Sequence, residues 1–345
     1  MLETGDIITL GSHAWRLCAP LGGSSYGVLW RAESLAGRQP AALKLVNSAQ
    51  MTLAAPAQRA RWCEAAATEI AFLRALQPWD RRHIVRLLDS GMHEGLPAAA
   101  LELLETDLAQ HLAALRARGS APAPLEALDW LAQVNAALAK VHGYGWRHLD
   151  LKPANLLLDR DGALKLADFG TSRALADRAA HAYTGTAAWQ APEQFFGIDG
   201  GYLTDARSDY FALGALLYYL VTGSLLRYSN ACACALRAHG AAAGARLLAQ
   251  PGNGLPPVLA QDEAALFARL AAGDMENSGV GRPASASAPD PTPALALLRA
   301  LLQPRPERRP RHALEISRLI AAARAGIAAP AGACPAAATR LRSAA

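Results

Sequence analysis

The eleven residues His148-Leu149-Asp150-Leu151-Lys152-Pro153-Ala154-Asn155-Leu156-Leu157-Leu158, followed after a short turn by Ala167-Asp168-Phe169-Gly170, constrain this chain more than any other feature. Asp150 and Asn155 stand five apart with Lys152 between them, and Asp168 follows a hairpin whose turn is Asp159-Arg160-Asp161-Gly162. The spacing suits phosphoryl transfer from a magnesium nucleotide. That reaction needs a carboxylate to take a hydroxyl proton, an amide and a second carboxylate to hold Mg²⁺ on the phosphates, and an ammonium beside the transferred group.

Further motifs occur in a fixed order around this pair. Leu21-Gly22-Gly23-Ser24-Ser25-Tyr26-Gly27-Val28-Leu29 is a glycine-rich hairpin, and Ala41-Ala42-Leu43-Lys44 places a lysine on the strand after it. Glu69 lies in a segment of helical spacing, Arg59 to Leu76. Downstream come Gly185-Thr186, Ala191-Pro192-Glu193, Asp209 at the start of an apolar helix, and Arg309 in Pro306-Glu307-Arg308-Arg309-Pro310. In this order the motifs resemble those of eukaryotic-type protein kinases, from about residue 16 to about residue 318.

The resemblance implies an α+β, bilobed fold: a small antiparallel-sheet lobe with one helix and a larger, mainly helical lobe. It divides the chain into a nucleotide-binding lobe over 1–104 and a catalytic lobe over 105–324. It also implies roles. Asp150 orients the substrate hydroxyl and accepts its proton, Lys152 neutralises the γ-phosphoryl group, and Thr186 bonds both. Asn155 and Asp168 hold Mg²⁺ or Mn²⁺. Lys44, held by Glu69, clamps the α- and β-phosphates of ATP. Gly22, Ser24 and Gly27 belong to the loop over the phosphates, with Ser24 where the family has a glycine. Leu29 and Ala42 enclose adenine, Leu101 backs its pocket, and Glu102 to Leu104 form the hinge. Leu73, Leu87, His148 and Phe169 form a stack between the lobes. Asp107 is either a ribose ligand or the amino-terminal cap of a helix over Leu108 to Leu115. Glu193 pairs with Arg309. Leu149 replaces an arginine that commonly receives an activation-segment phosphate.

The substrate class implied is Ser/Thr hydroxyls of proteins, from Lys152 and Gly185-Thr186, although Trp189 is more typical of tyrosine kinases and leaves dual specificity open. A pseudokinase scaffold is disfavoured because Lys44, Asp150 and Asp168 are all present, and a small-molecule kinase because the activation segment is present. Neither the protein substrate, the upstream signal nor the oligomeric state is legible.

Lysine usage supports the assignment. Only four of the 34 basic side chains are lysine, Lys44, Lys140, Lys152 and Lys165, and two of them fall on positions where a compact ammonium must reach phosphate oxygens. Nine arginines after residue 298 face only Glu307 and Glu315. That end lacks stacking aromatics, so it reads as a solvated helix and mobile tail, with a weak site for an acidic partner as the alternative, and not as a nucleic-acid site. Cys18, Cys63, Cys232, Cys234 and Cys334 are scattered and odd in number, which argues for free thiols. The amino terminus lacks a secretory pattern, and the longest apolar run, Tyr210 to Val221, is too short to span a bilayer. A cytoplasmic enzyme is expected.

Strands are expected over Ile84 to Leu88 and Leu96 to Leu104, and helices over Leu125 to Val141 (ended by Gly143), Leu295 to Leu302 and His312 to Ala323. Residues 224–293, rich in Ala, Gly, Pro and Ser, read as a loop-rich insertion, and 325–345 as a disordered tail.

Overall fold

In the strand Pro40–Val46, Ala41, Leu43 and Leu45 pack into one apolar layer while Ala42 and Lys44 face the opposite way, as the two-residue period of a strand requires. The computed structural model describes residues 2–23, 27–197, 201–249, 256–273 and 292–328. Its amino-terminal part is an antiparallel sheet of β1 (Ile7–Leu10), β2 (His13–Gly23), β3 (Gly27–Ser34), β4 (Pro40–Val46), β5 (Leu87–His93) and β6 (Leu96–Glu102), in the order β1-β2-β3-β4-β6-β5. Ile8, Leu10, Trp15, Leu17 and Leu43 close one face. Toward the other lies α2 (Pro56–Ala75), which follows the short α1 (Ser48–Leu53) and buries Glu69, Ile70, Phe72 and Leu73. The helix begins before Arg59 because Pro56 suits a first turn, where no amide hydrogen is needed.

The expected strand Ile84 to Leu88 needs correction. Pairing with β6 starts at Leu87, whereas Ile84 bridges Leu166 and Val85 N donates to Leu166 O at 3.0 Å. This apolar segment therefore joins the sheet lobe to the helical lobe, a partnership that a strand-like run cannot reveal in sequence.

The second lobe starts with β7 (Thr106–Asp107), α3 (Leu108–Ala117) and α4 (Pro124–Gly143). In α4, Leu128, Leu131, Val134, Leu138 and Val141 form a buried stripe. Gly143 is its last helical residue. The helix closes at Tyr144, and Gly145, at φ +80°, makes the left-handed turn. The strands β8 (Trp146–Arg147), β9 (Leu156–Leu158), β10 (Leu164–Leu166) and β11 (Arg173–Ala174) frame the loops. Beyond them come α5 (Pro192–Phe195) and α6 (Ala206–Thr222), the latter almost wholly buried. Gly214 of α6 lets the helix beyond it approach closely, since a Cβ there would lie 2.8 Å from that of Leu301.

The expected loop-rich insertion is largely helical where it is described: α7 (Arg227–His239), α8 (Ala243–Leu248) and α9 (Gln261–Ala271). Alanine is the best helix former, and Tyr228, Cys232 and Ala235 supply a buried face at helical spacing. Residues 274–291 lie outside the described part. The fold closes with α10 (Thr292–Leu301) and α11 (Ala313–Ala328). Hence 325–328 are helical and not tail, because Ala323 and its neighbours continue a face packed on α4; 329–345 lie outside the described residues. Among the described residues no single helix is long and apolar enough to cross a membrane.

Candidate active site

Two groups of charged residues meet in the cleft between the lobes. From β4, Lys44 donates to Glu69 Oε2 of α2 at 2.7 Å and to Asp168 Oδ1 at 2.7 Å. The sheet, the helix and the loop after β10 are thereby joined at one ammonium. The Asp168 carboxyl is pushed up by desolvation, but Lys44 outweighs that effect, with help from His148 and Lys152, and holds it below the usual carboxylate range. Asp168 is thus anionic at neutral pH.

The second group is the loop between β8 and β9. Lys152 Nζ donates to Asp150 Oδ2 at 2.7 Å and to Thr186 Oγ1 at 2.9 Å, and Thr186 Oγ1 donates to Asp150 Oδ1 at 2.7 Å. Asn155 Nδ2 donates to Asp150 O at 2.9 Å and Asp150 Oδ2 at 3.2 Å. These bonds orient the amide and leave its oxygen as the atom for a cation. Gly185 allows the approach of the segment bearing Thr186: it sits at φ +95°, and a Cβ there would lie 2.6 Å from Leu149 O.

Sequence reasoning missed what holds this loop. Asp209, in the first turn of α6 and fully buried, accepts from His148 N at 2.8 Å, Leu149 N at 2.7 Å and His142 Nε2 at 2.8 Å. Burial pushes its carboxyl up, yet the His142 hydrogen bond and the nearby histidines hold it below the usual range. A carboxylate opening an otherwise apolar helix was the available signal. Leu149 is buried at φ +68°, a strained conformation for leucine that these bonds enforce. Asp150 N donates to His148 Nδ1 at 3.3 Å, and His148 Nε2 lies 3.1 Å from Ala167 O.

His148 and Phe169 meet edge to face at 5.0 Å, and Phe72 lies against Phe169 at 4.4 Å with the rings tilted by 31°. Phe72 was not singled out in sequence, where it is one apolar residue of a helix among several. Leu73 is buried beside it and Leu87 is half-buried.

On the nucleotide side, Leu29 pairs with Lys44 and Ala42 with Leu101, which brings the expected adenine residues to one end of the sheet. The Glu102 carboxylate accepts from Arg86 N at 2.8 Å and Lys165 Nζ at 2.6 Å, so it is turned to the back of the hinge. Leu104 follows, half-buried. Asp107 caps α3 through Oδ1 to Gln110 N at 2.8 Å. Gly22 has φ +150° and Gly27 pairs with Val46; Ser24 lies outside the described residues.

The closing motif is a bidentate ion pair. Arg309 Nη1 and Nη2 reach Glu193 Oε1 and Oε2 at 2.6 and 2.8 Å. Its other donors go to carbonyls of Gln303, Arg207 and Pro304, and the Arg309 side chain is fully buried.

Among the described residues no cluster of three or more acidic, histidine or cysteine side chains could cage a metal. An amide oxygen and one carboxylate fit a hard ion completed by phosphate oxygens and water, as Mg²⁺ is in nucleotide sites.

Comparison with known proteins agrees with this geometry. The protein kinase domain family matches residues 15–317. The serine/threonine-protein kinase PknL of Mycobacterium tuberculosis H37Rv is 38% identical over 153 residues, covering 44% of this chain and 37% of the relative. PknB of Mycolicibacterium smegmatis is 41% identical over 106 residues, 29% of this chain and 16% of the relative. The DNA damage-responsive serine/threonine-protein kinase RqkA of Deinococcus radiodurans is 34% identical over 225 residues, 63% of this chain and 31% of the relative. The matches thus span less than two fifths of these relatives' lengths.

Proposed function

Because this chain belongs to the protein kinase domain family, we propose that it transfers the γ-phosphoryl group of MgATP to serine or threonine hydroxyls of proteins. The observation that carries this reading is the Asp150-Lys152-Thr186 triangle, set apart from a Lys44-Glu69-Asp168 cluster in the same cleft.

Lys44 binds the α- and β-phosphates, its charge stabilised by Glu69. Asn155 and Asp168 hold the metal ion, Mg²⁺ or Mn²⁺, which when bound screens the phosphate charge. Asp150 aligns the substrate hydroxyl and takes its proton late, since a loose transition state needs little base assistance at first. Lys152 stabilises negative charge on the transferring group. Thr186 fixes both side chains and lines the position of a short hydroxyl side chain. Gly22, Gly27, Leu29, Ala42 and the hinge at Glu102 to Leu104 form the nucleotide pocket, with Asp107 as a helix cap.

Trp189, the residue discordant with serine/threonine specificity, packs edge to face on Tyr219 at 5.3 Å, and Tyr219 accepts from Arg116 at 2.8 Å. Its indole is thus committed to the helical lobe, which favours the Ser/Thr reading over dual specificity. We place the domain in the cytoplasm, which supplies ATP and keeps thiols such as Cys18, Cys63, Cys232 and Cys234 reduced. Its partners are protein substrates.

The test is transfer of radiolabel from γ-labelled ATP to a mixed protein pool, followed by phosphoamino-acid analysis. Labelled phosphoserine or phosphothreonine is expected; nucleotide binding without transfer to any protein would leave a scaffold, not an enzyme.

A further inference from the structure

The turn between α2 and β5 displays an indole to solvent. Trp79 is 76% exposed, yet the turn that carries it is firmly fixed. Asp80 accepts from Lys140 Nζ at 2.6 Å and from Tyr144 Oη at 2.8 Å, Gln77 N donates to Tyr144 Oη at 2.9 Å, and Arg81 donates to Leu76 O at 2.9 Å. An exposed tryptophan on a pre-ordered turn offers contact area at little entropic cost.

Beside it is a concavity of about 400 Å³ lined by Trp79, Arg81, Arg82, Arg86, Glu102 and Lys165. The two acidic side chains at hand are already engaged, Asp80 with Lys140 and Glu102 with Lys165. Arg82 and Arg86 are exposed, and among the described residues neither guanidinium has an acceptor. Burial first, and then the charges of Arg82 and Lys165, push the neighbouring His83 imidazole down over an opposing hydrogen bond to Leu164 O, which agrees with a positive local field.

We infer that this surface, behind the hinge and spanning both lobes, docks an acidic segment of a protein partner, with carboxylates on Arg82 and Arg86 and an apolar side chain against Trp79. Complementary charge and an aromatic anchor in a small pocket are the elements of such recognition. A single-stranded nucleic acid needs successive stacking faces along a basic track, and here one indole stands over a floor that contains Glu102. A membrane surface needs an apolar band, which an isolated tryptophan does not provide. The inference does not depend on phosphoryl transfer.

The experiment is fluorescence anisotropy on the full chain, without nucleotide, using a labelled peptide of alternating Glu, Asp and Leu. Saturable, salt-sensitive binding is expected, lowered roughly tenfold or more by Arg82→Glu with Arg86→Glu, and lowered also by Trp79→Ala. A Lys/Leu peptide of equal length should not bind. Thermal unfolding of each variant reports folding, and Trp79→Ala, at an exposed site, keeps the test valid if the double variant unfolds. Absence of saturation, equal affinity for Trp79→Ala and wild type, or tighter Arg82-dependent binding of oligothymidylate or phosphatidylserine vesicles would each overturn the inference.

Discussion

Asp150 and Asp168 are both carboxylates in one cleft, but their partners separate their tasks. Asp168 bonds to the lysine expected on the phosphates, whereas Asp150 bonds to Lys152 and to a hydroxyl, Thr186 Oγ1, that resembles the substrate group. Removing the first should remove the proposed metal ligand and abolish transfer, so Asp168→Ala is expected to show no activity above background. Asp150→Asn keeps the shape and loses the base. Its turnover should fall by about 100-fold or more while nucleotide affinity, read by a fluorescent ATP analogue, changes little. If the two variants lose nucleotide binding equally, the division of roles is wrong. These residues are legible in sequence because their function requires fixed residue types at fixed short spacings. Phe72 is not, since only its position against Phe169 distinguishes it from other buried apolar residues of α2.

At the level of the segment from Asp168 to Glu193, two buried arginines act at opposite ends. Arg147 is fully buried and donates to Ala174 O and Asp177 O at 3.0 Å each, so it points into the segment's backbone. The sequence showed that Leu149 lacks a donor but could not give the direction of Arg147, which depends on pairing between β8 and β11. With both terminal nitrogens on backbone carbonyls and the whole side chain buried, this guanidinium is not presented to a phosphate on Thr184. Thr184→Ala and phosphatase-treated wild type should therefore keep most of their transfer activity, and Thr186→Ala should lose most of it. A collapse after phosphatase treatment would show that another basic group reads a phosphate. At the far end, Arg309→Ala would strand the Glu193 carboxylate in a largely buried place. Breaking one side of a buried pair costs about 3 to 5 kcal/mol, and urea unfolding should show a loss of that order. Composition was a poor guide to α7, α8 and α9 because alanine occurs in both helices and low-complexity loops, and only the burial of Tyr228, Cys232 and Ala235 decides between them.

Across the whole molecule, catalytic geometry and stability share the same carboxylates. Asp209 ties α6 and α4 to the loop that bears Asp150, and Asp168 ties the loop after β10 to the sheet and α2 through Lys44. Both carboxyls titrate below their ordinary value in the folded chain. As pH falls through about 4, where an unfolded aspartate takes up its proton, the unfolded chain binds more protons than the folded one. The stabilisation is thus complete above that range and declines as pH drops toward the folded values. Asp209→Asn tests this at the buried site. The amide keeps the size of the side chain but has no charge to lose, and it places donors where an acceptor served three groups. The variant should be less stable at pH 7, by about 2 kcal/mol or more because two backbone amides lose full partners. Its stability should also fall less steeply than wild type between about pH 5 and pH 3. Urea unfolding midpoints at several pH values read both effects. Parallel curves would mean that Asp209 contributes hydrogen-bond geometry alone and that acid sensitivity arises elsewhere in the fold.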